Sequence, residues 1–346
     1  MKKGNRFGTH RVIEPVGVLP QPAKKIDNTM EIYDNEILID VQTLNVDSAS
    51  FTQIHDQANG DVEEIKKIMK GIVADAGKHK NPVTGSGGML IGTIKEIGPN
   101  VTGDKKNLKV GDKIATLVSL SLTPLVIEEI LDVRTNIDQV DIKGQAILFD
   151  SGIYSVLPTD IPENLALSVL DVAGAPAQAA KLCQAGQTVL VLGGAGKSGL
   201  LCLYEAKRRV GASGKVICFA HSEKKTQYAK DLNLADVYLI GDASNAVEVY
   251  EKVSEVTNGE LCDLVITCVS RENCEMGSIL ACKDDGTVYF FSMATSFTKA
   301  ALGAEGVGKD VNMIIGNGYT KNHSMIALQI MRESEGMRNL YTNLYA

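Results

Sequence analysis

The stretch Val189-Leu190-Val191-Leu192-Gly193-Gly194-Ala195-Gly196-Lys197-Ser198-Gly199-Leu200-Leu201 decides the fold. A short apolar run ends in glycines spaced Gly-x-Gly-x-x-Gly, at Gly194, Gly196 and Gly199, and a helix-forming run follows. Between a strand and a helix such a triplet shapes a backbone cradle for a dinucleotide pyrophosphate. Gly194 permits the tight turn, Gly196 lets the backbone approach the phosphates, and Gly199 lets the helix pack on the strand. Lys197 and Ser198 open the helix, whose free N–H groups and positive dipole end face the diphosphate. By itself the triplet also occurs in plain glycine-rich turns. Its weight comes from the flanking strand and helix, and from a second strand ending near Ala220, about 20 residues on. A kinase-type loop does not fit, because Lys197-Ser198 follows Gly193-Gly194-Ala195-Gly196 rather than Gly-x-x-x-x-Gly.

Downstream of this loop, apolar strand-like runs at 215–220, 236–240, 263–268, 287–292 and 313–315 alternate with helical patterns at 223–232, 246–257 and 273–281. Near-continuous apolar strands are expected where helices cover both faces of a parallel sheet. Upstream the texture differs. Short strands at 37–41, 89–97, 113–118, 145–149 and 156–157 are separated by Gly-, Asn- and Pro-rich turns such as 82–88 and 98–100. One helical insert, 60–74, carries Val62, Ile65, Ile68, Met69 and Ile72 at helical spacing. The expected fold is α/β, with a β domain at 1–158 ahead of a doubly wound Rossmann domain at 159–346.

Composition agrees. At 346 residues, about two domains are expected. The formal charge of −7 disfavours nucleic acid or an anionic membrane surface as partner. No run approaches the ~18–20 apolar residues of a membrane span, and Met1-Lys2-Lys3-Gly4-Asn5-Arg6 does not open a signal peptide, so a cytoplasmic protein is expected. All seven cysteines lie from Cys183 onward, none spaced Cys-x-x-Cys and most among apolar neighbours. They read as buried, reduced thiols rather than as a metal or disulfide framework.

The end of the second strand bears on the coenzyme. An NAD site normally places Asp or Glu there, to accept hydrogen bonds from the ribose hydroxyls and repel a 2′-phosphate. Here Lys215-Val216-Ile217-Cys218-Phe219-Ala220 runs into His221 and Ser222, followed by Lys224 and Lys225. A serine hydroxyl, two lysines and a helix N-terminus favour NADP. Glu223 could play the acidic part, so use of NAD stays open. Cys268, Val269 and Ser292, at the ends of later strands, complete the expected cofactor-binding set.

Over nearly its whole length the sequence resembles the medium-chain dehydrogenase/reductase superfamily. The resemblance rests on the phosphate loop, on Glu36-Ile37-Leu38-Ile39-Asp40-Val41, on Gly87-Gly88-Met89-Leu90-Ile91-Gly92-Thr93-Ile94 and on Val110-Gly111-Asp112-Lys113-Ile114. It implies a chaperonin-10-like β domain before the Rossmann domain, a homodimer or homotetramer, and an active site in the cleft between domains. The zinc-dependent branch needs Cys near Asp47 and His-Glu where Gly88 and Met89 stand, and a four-cysteine lobe. No cysteine precedes Cys183. Without donors there is no zinc site, and no metal is expected. Phe7-Gly8-Thr9-His10-Arg11-Val12-Ile13-Glu14-Pro15, Leu19-Pro20-Gln21-Pro22-Ala23 and Asn45-Val46-Asp47-Ser48-Ala49-Ser50-Phe51-Thr52-Gln53-Ile54 are similar to the L-erythro-3,5-diaminohexanoate dehydrogenase family. That resemblance implies oxidative deamination of a diamino acid in lysine fermentation, giving 5-amino-3-oxohexanoate, ammonia and reduced coenzyme.

Hydride removal from an amine carbon requires a base that deprotonates the ammonium and later activates water. Asp171 matches in position the family segment facing the nicotinamide. Asp47 and Ser48 occupy the substrate turn, though turns favour such residues anyway. His10, Arg11 and Glu14 gather three functional side chains in an irregular arm. The remaining histidines, His55, His79 and His323, carry no motif and read as structural. Two rival readings stay open: a zinc-free NADPH-dependent quinone or enoyl reductase, and a non-catalytic coenzyme-binding protein. An assay for ammonia release separates both from the first.

Overall fold

Ile37, Ile39 and Val41 alternate along the strand Glu36–Asn45 into one core, and Leu44 joins them beyond a bulge after Val41. This strand is central to the first of two units into which the chain divides, Met1–Leu167 and Ser168–Ala346. The computed structural model describes residues 1–292, 294–316 and 319–346.

In chain order the first unit contains β1 (Val12–Glu14), β2 (Lys25–Ile26), β3 (Glu36–Asn45), α1 (Ser48–Gln57), α2 (Val62–Ala76), β4 (Met89–Ile97), β5 (Lys113–Thr116), β6 (Leu125–Arg134), β7 (Gln139–Phe149) and β8 (Tyr154–Val156). β1 and β2 form a two-stranded ribbon, and the other six strands make an antiparallel sheet in the order β6-β7-β3-β4-β5-β8. Phe51 and Ile54 of α1, with Ile65, Met69 and Val73 of α2, extend its core. Asp61 caps α2 by accepting from the Glu64 N–H, and Gly77 ends it at φ 75°, where other residues are strained.

Two elements depart from the sequence reading. Residues 48–57 form α1 rather than a turn, because Phe51, Ile54 and Ala58 reach the core at helical spacing. Residues 125–134 form β6. Its register shifts twice, between Ile127 and Glu129 and between Ile130 and Asp132, which erases the period-2 pattern that marks a strand.

Helix α3 (Glu163–Leu170) carries the chain across the division. Beyond it follow α4 (Gly174–Leu182), β9 (Thr188–Leu192), α5 (Lys197–Val210), β10 (Lys215–Ala220), α6 (Glu223–Asp231), β11 (Val237–Ile240), α7 (Ala246–Val256), β12 (Cys262–Thr267), α8 (Glu275–Leu280), β13 (Cys282–Phe290), α9 (Phe297–Val307), β14 (Asn312–Ile315), α10 (His323–Glu333) and α11 (Glu335–Tyr345). The six strands pair in parallel in the order β11-β10-β9-β12-β13-β14. That order reverses direction between β9 and β12, the switch point where open α/β sheets bind ligands. The expected α/β architecture is therefore present: an antiparallel chaperonin-10-like unit and a doubly wound parallel one. Helix α9 lies in no predicted element, since Gly303 and Gly306 weaken its helical signal.

Candidate active site

The phosphate loop stands at that switch point. After β9, the Gly193 and Gly194 N–H groups donate to the Phe219 carbonyl at 2.8 and 3.1 Å, tying the turn to β10. The left-handed backbone falls at Gly193 (φ 79°), one residue before the glycine assigned to the turn from sequence. Gly194 serves close packing instead, for a Cβ there would stand 2.7 Å from the Cys218 Sγ. A Cβ on Gly199 would overlap the Gly193 carbonyl and lie 2.7 Å from the Gly194 Cα, so this glycine lets α5 approach β9. At Gly196 a Cβ would meet only the Gly193 oxygen, at 3.3 Å. Gly196 is also the N-cap of α5 and offers no capping side chain to its first-turn N–H groups. An open space before an uncapped helix N-terminus suits a pyrophosphate.

Ser198 lies in this opening turn. Lys197 beside it pairs with Asp171, Nζ to Oδ2 at 2.7 Å, and its carbonyl accepts from the Tyr341 hydroxyl. The structure thus brings Asp171, a candidate base, onto the coenzyme loop. The Cys268 N–H donates to the Leu192 carbonyl at 2.8 Å, and Val269 lies about Gly193, so β12 delivers both residues to the loop. The Ser292 N–H bonds the Thr267 carbonyl at 3.3 Å, placing Ser292 beside the end of β12. Cys202 and Cys268 hold their sulfurs 3.9 Å apart, and all seven cysteines are free thiols.

At the end of β10, Ser222 caps α6, its Oγ accepting from the Lys225 N–H at 3.3 Å. A hydroxyl that accepts keeps its own proton to donate. His221, Lys224 and Lys225 are exposed, whereas the Glu223 carboxylate is taken by Lys230 at 2.5 Å. Arg271, which sequence reading missed, lies beyond β12 and pairs with Asp242 beyond β11 at 3.3 Å. Hydrogen bonds from Ser244 hold the Asp242 carboxyl below the usual range, with the Arg271 and His221 charges adding to the effect. No motif marks Arg271; only the strand order brings it to Asp242.

In the first unit, Asp47 stands before α1 and accepts from the Gly87 N–H at 3.0 Å, and Ser48 donates to Asp138 at 2.5 Å. The N-terminal arm holds a correction. Arg11 is wholly buried, and all five of its N–H donors have acceptors: both oxygens of Glu36 at 2.7 Å, and the carbonyls of Asp27, Thr29 and Glu31. His10 accepts from the Asn5 N–H through Nδ1 and so donates to Glu36 through Nε2, at 2.8 Å. Neither side chain has a group left for a substrate; both hold the arm to β3. Burial works to raise the Glu36 carboxyl, but hydrogen bonds from His10, Arg11 and the Tyr33 N–H outweigh it and keep it below its ordinary range. Glu14 is exposed, 3.8 Å from Lys24.

Comparison with known proteins places this geometry. Residues 10–158 match the L-erythro-3,5-diaminohexanoate dehydrogenase N-terminal domain, and residues 199–332 match the zinc-binding dehydrogenase family. Among solved structures, a mycobacterial protein complexed with NADPH aligns at a TM-score of 0.57 with 17% identity, over 92% of this chain and 86% of that one. A quinone oxidoreductase from Coxiella burnetii aligns at 0.54 with 17% identity, over 91% and 84%. At such identities the likeness establishes the fold alone. The parallel sheet with its glycine loop and the antiparallel unit before it define a medium-chain dehydrogenase/reductase, an oxidoreductase class. Two curated relatives narrow this. The chain is 61% identical over 343 residues to an L-erythro-3,5-diaminohexanoate dehydrogenase of Acetoanaerobium sticklandii, covering 99% of each. It is 59% identical over 345 residues to one of Fusobacterium nucleatum, covering 100% of each. The chain belongs to the L-erythro-3,5-diaminohexanoate dehydrogenase family. Among the described residues, no group of three or more His, Cys, Asp or Glu is placed to hold a metal ion.

Proposed function

We propose that the protein oxidatively deaminates L-erythro-3,5-diaminohexanoate at C3, without a metal ion and with NADP as the preferred coenzyme. The observation that carries this reading is the identity of 61% and 59%, end to end, with two enzymes bearing that substrate in their names. In the balanced reaction the substrate and water yield 5-amino-3-oxohexanoate, an ammonium ion and a proton, and two electrons leave with the hydride. A bound oxidised nicotinamide would supply the acceptor for that hydride.

The chain's own groups supply the rest. Gly196, Lys197 and Ser198, at the uncapped start of α5, would hold the pyrophosphate, Gly194 and Gly199 let strand and helix pack behind it, and Cys268, Val269 and Ser292 stand at the neighbouring strand ends. Asp171, paired with Lys197, takes the proton from the C3 ammonium and releases it to solvent, then takes one from the attacking water and passes it to the departing nitrogen. The absence of Cys and His donors at Asp47, Gly88 and Met89 supports metal-free chemistry. Ser222, Lys224 and Lys225, with Glu223 occupied by Lys230, support a 2′-phosphate pocket. The superfamily resemblance supports a homodimer or homotetramer, which light scattering would measure. The free thiols, and the lack among the described residues of any helix long and apolar enough to cross a membrane, support a cytoplasmic setting.

The deciding experiment follows coenzyme reduction and ammonia together with the diamino acid, before and after exhaustive chelation. Equal yields of reduced coenzyme and ammonia, unchanged by chelation, are expected. No ammonia would overturn the substrate, and activity lost on chelation and restored by zinc would overturn the metal-free chemistry.

A further inference from the structure

In the first unit, α1, α2, the segment at Ala23 and the loop 80–85 enclose a cavity of about 550 Å³, within the size range of small-molecule sites. None of its lining residues belongs to the coenzyme loop or to the proposed chemistry. Ile68 and Ile72 of α2 give it an apolar wall, and Gln53 and Gln57 of α1 add amides. Lys80 stands on the loop side and Asp75 near the end of α2.

The charges around it are unbalanced. Lys80 Nζ donates to the Gln21 carbonyl at 3.1 Å, and Lys78 Nζ donates to the same oxygen at 3.2 Å and to that of Pro20 at 2.5 Å. Lys78 is wholly buried. Two ammonium groups thus share one carbonyl, with no carboxylate paired to either among the described residues. Buried lysines are ordinarily paired with an anion, which a bound carboxylate would supply here. Asp75 is likewise in no ion pair among the described residues, leaving it able to receive an ammonium. Gly71 sits mid-helix on the cavity wall, where glycine is a poor helix former, and a Cβ there would meet nothing within 4 Å.

We propose that this cavity binds a small linear amino acid as a second site. Its carboxylate lies against Lys80 with Lys78 behind, its methylenes on Ile68 and Ile72, and its ammonium toward Asp75. The inference does not rest on the proposed reaction. Calorimetric titration of the full chain with 6-aminohexanoate tests it, with acetate and butylamine as single-charge controls. Saturable binding of the amino acid is expected, with each control weaker by about tenfold or more. Lys80→Met and Gly71→Phe should each weaken that binding by about tenfold or more while turnover of the diamino acid holds at the wild-type level. The Cβ of Gly71→Phe meets nothing within 4 Å and its ring starts from the pocket wall, so it tests the site even if the lysine variant misfolds. No saturable binding, acetate binding as well as the amino acid, or binding that survives Gly71→Phe would each overturn the proposal.

Discussion

Gly196 shows how one residue separates folding from function. Its backbone (φ −89°, ψ 173°) is one that any residue adopts, and an added Cβ touches only the Gly193 oxygen. Gly196→Val should therefore fold, with the Gly193 oxygen giving way by a few tenths of an ångström, while filling the space before α5. Coenzyme affinity should fall by about 100-fold, ~2.7 kcal/mol, while the free protein keeps its native circular dichroism. Coenzyme titration by fluorescence checks this, and unaltered affinity would reduce the loop to a turn. Gly199 differs, since its Cβ would strike the backbone of β9's turn, so substitution there should unfold the loop itself. Sequence alone makes the two glycines equivalent members of a motif. The opposite lesson comes from Arg11 and His10, whose chemistry looked catalytic until their donors were counted. Side-chain type says what a group can do; burial and partners say whether it is free to do it.

At the scale of elements, the β10–α6 connection sets the choice of coenzyme. The capping Ser222, the exposed Lys224 and Lys225, and Glu223 held by Lys230 predict a higher kcat/KM with NADP than with NAD. Changing both lysines to Glu should lower that ratio by about tenfold or more, ~1.4 kcal/mol or beyond. Steady-state kinetics with both coenzymes measures it, and a wild-type preference for NAD of that size would instead give the pocket to Glu223. The β–α rhythm of the second unit was legible because β9, β10 and β12 are largely apolar runs, and because Ser222 and Asn245 cap the starts of α6 and α7. Helix α1 and strand β6 were not. Helix α1 offers only three apolar positions at helical spacing, too few to mark it without the core they reach, and the register shifts of β6 erase its period-2 pattern.

Across the whole molecule, buried titratable groups predict loss of stability in mild acid. His79 is wholly buried, and burial pulls its pKa down to about 4, so the folded chain keeps it neutral. The unfolded chain takes up that proton near pH 6.5, so stability should fall between about pH 6.5 and 4, by about 1.4 kcal/mol per unit and ~3 kcal/mol in all. Burial shifts His323 in the same direction. Glu36, held low, acts in a lower window: its stabilisation is present above the ordinary carboxylate pKa and disappears as pH drops through its folded value. Urea midpoints from pH 7 to 4 should decline, and His79→Gln should flatten the upper part of that decline; an unchanged slope would count against it. None of this is readable from His79 in the sequence, where it is a histidine without a motif. What the sequence determined by itself was local and periodic: the strand–glycine–helix loop, the alternation behind it, and the missing metal donors, because each depends on neighbouring residues along one chain. Tertiary structure alone decided which charges are used up inside, which histidine stays neutral, and that Asp171 meets Lys197 and Arg271 meets Asp242, because those outcomes depend on groups that only folding brings within a few ångströms.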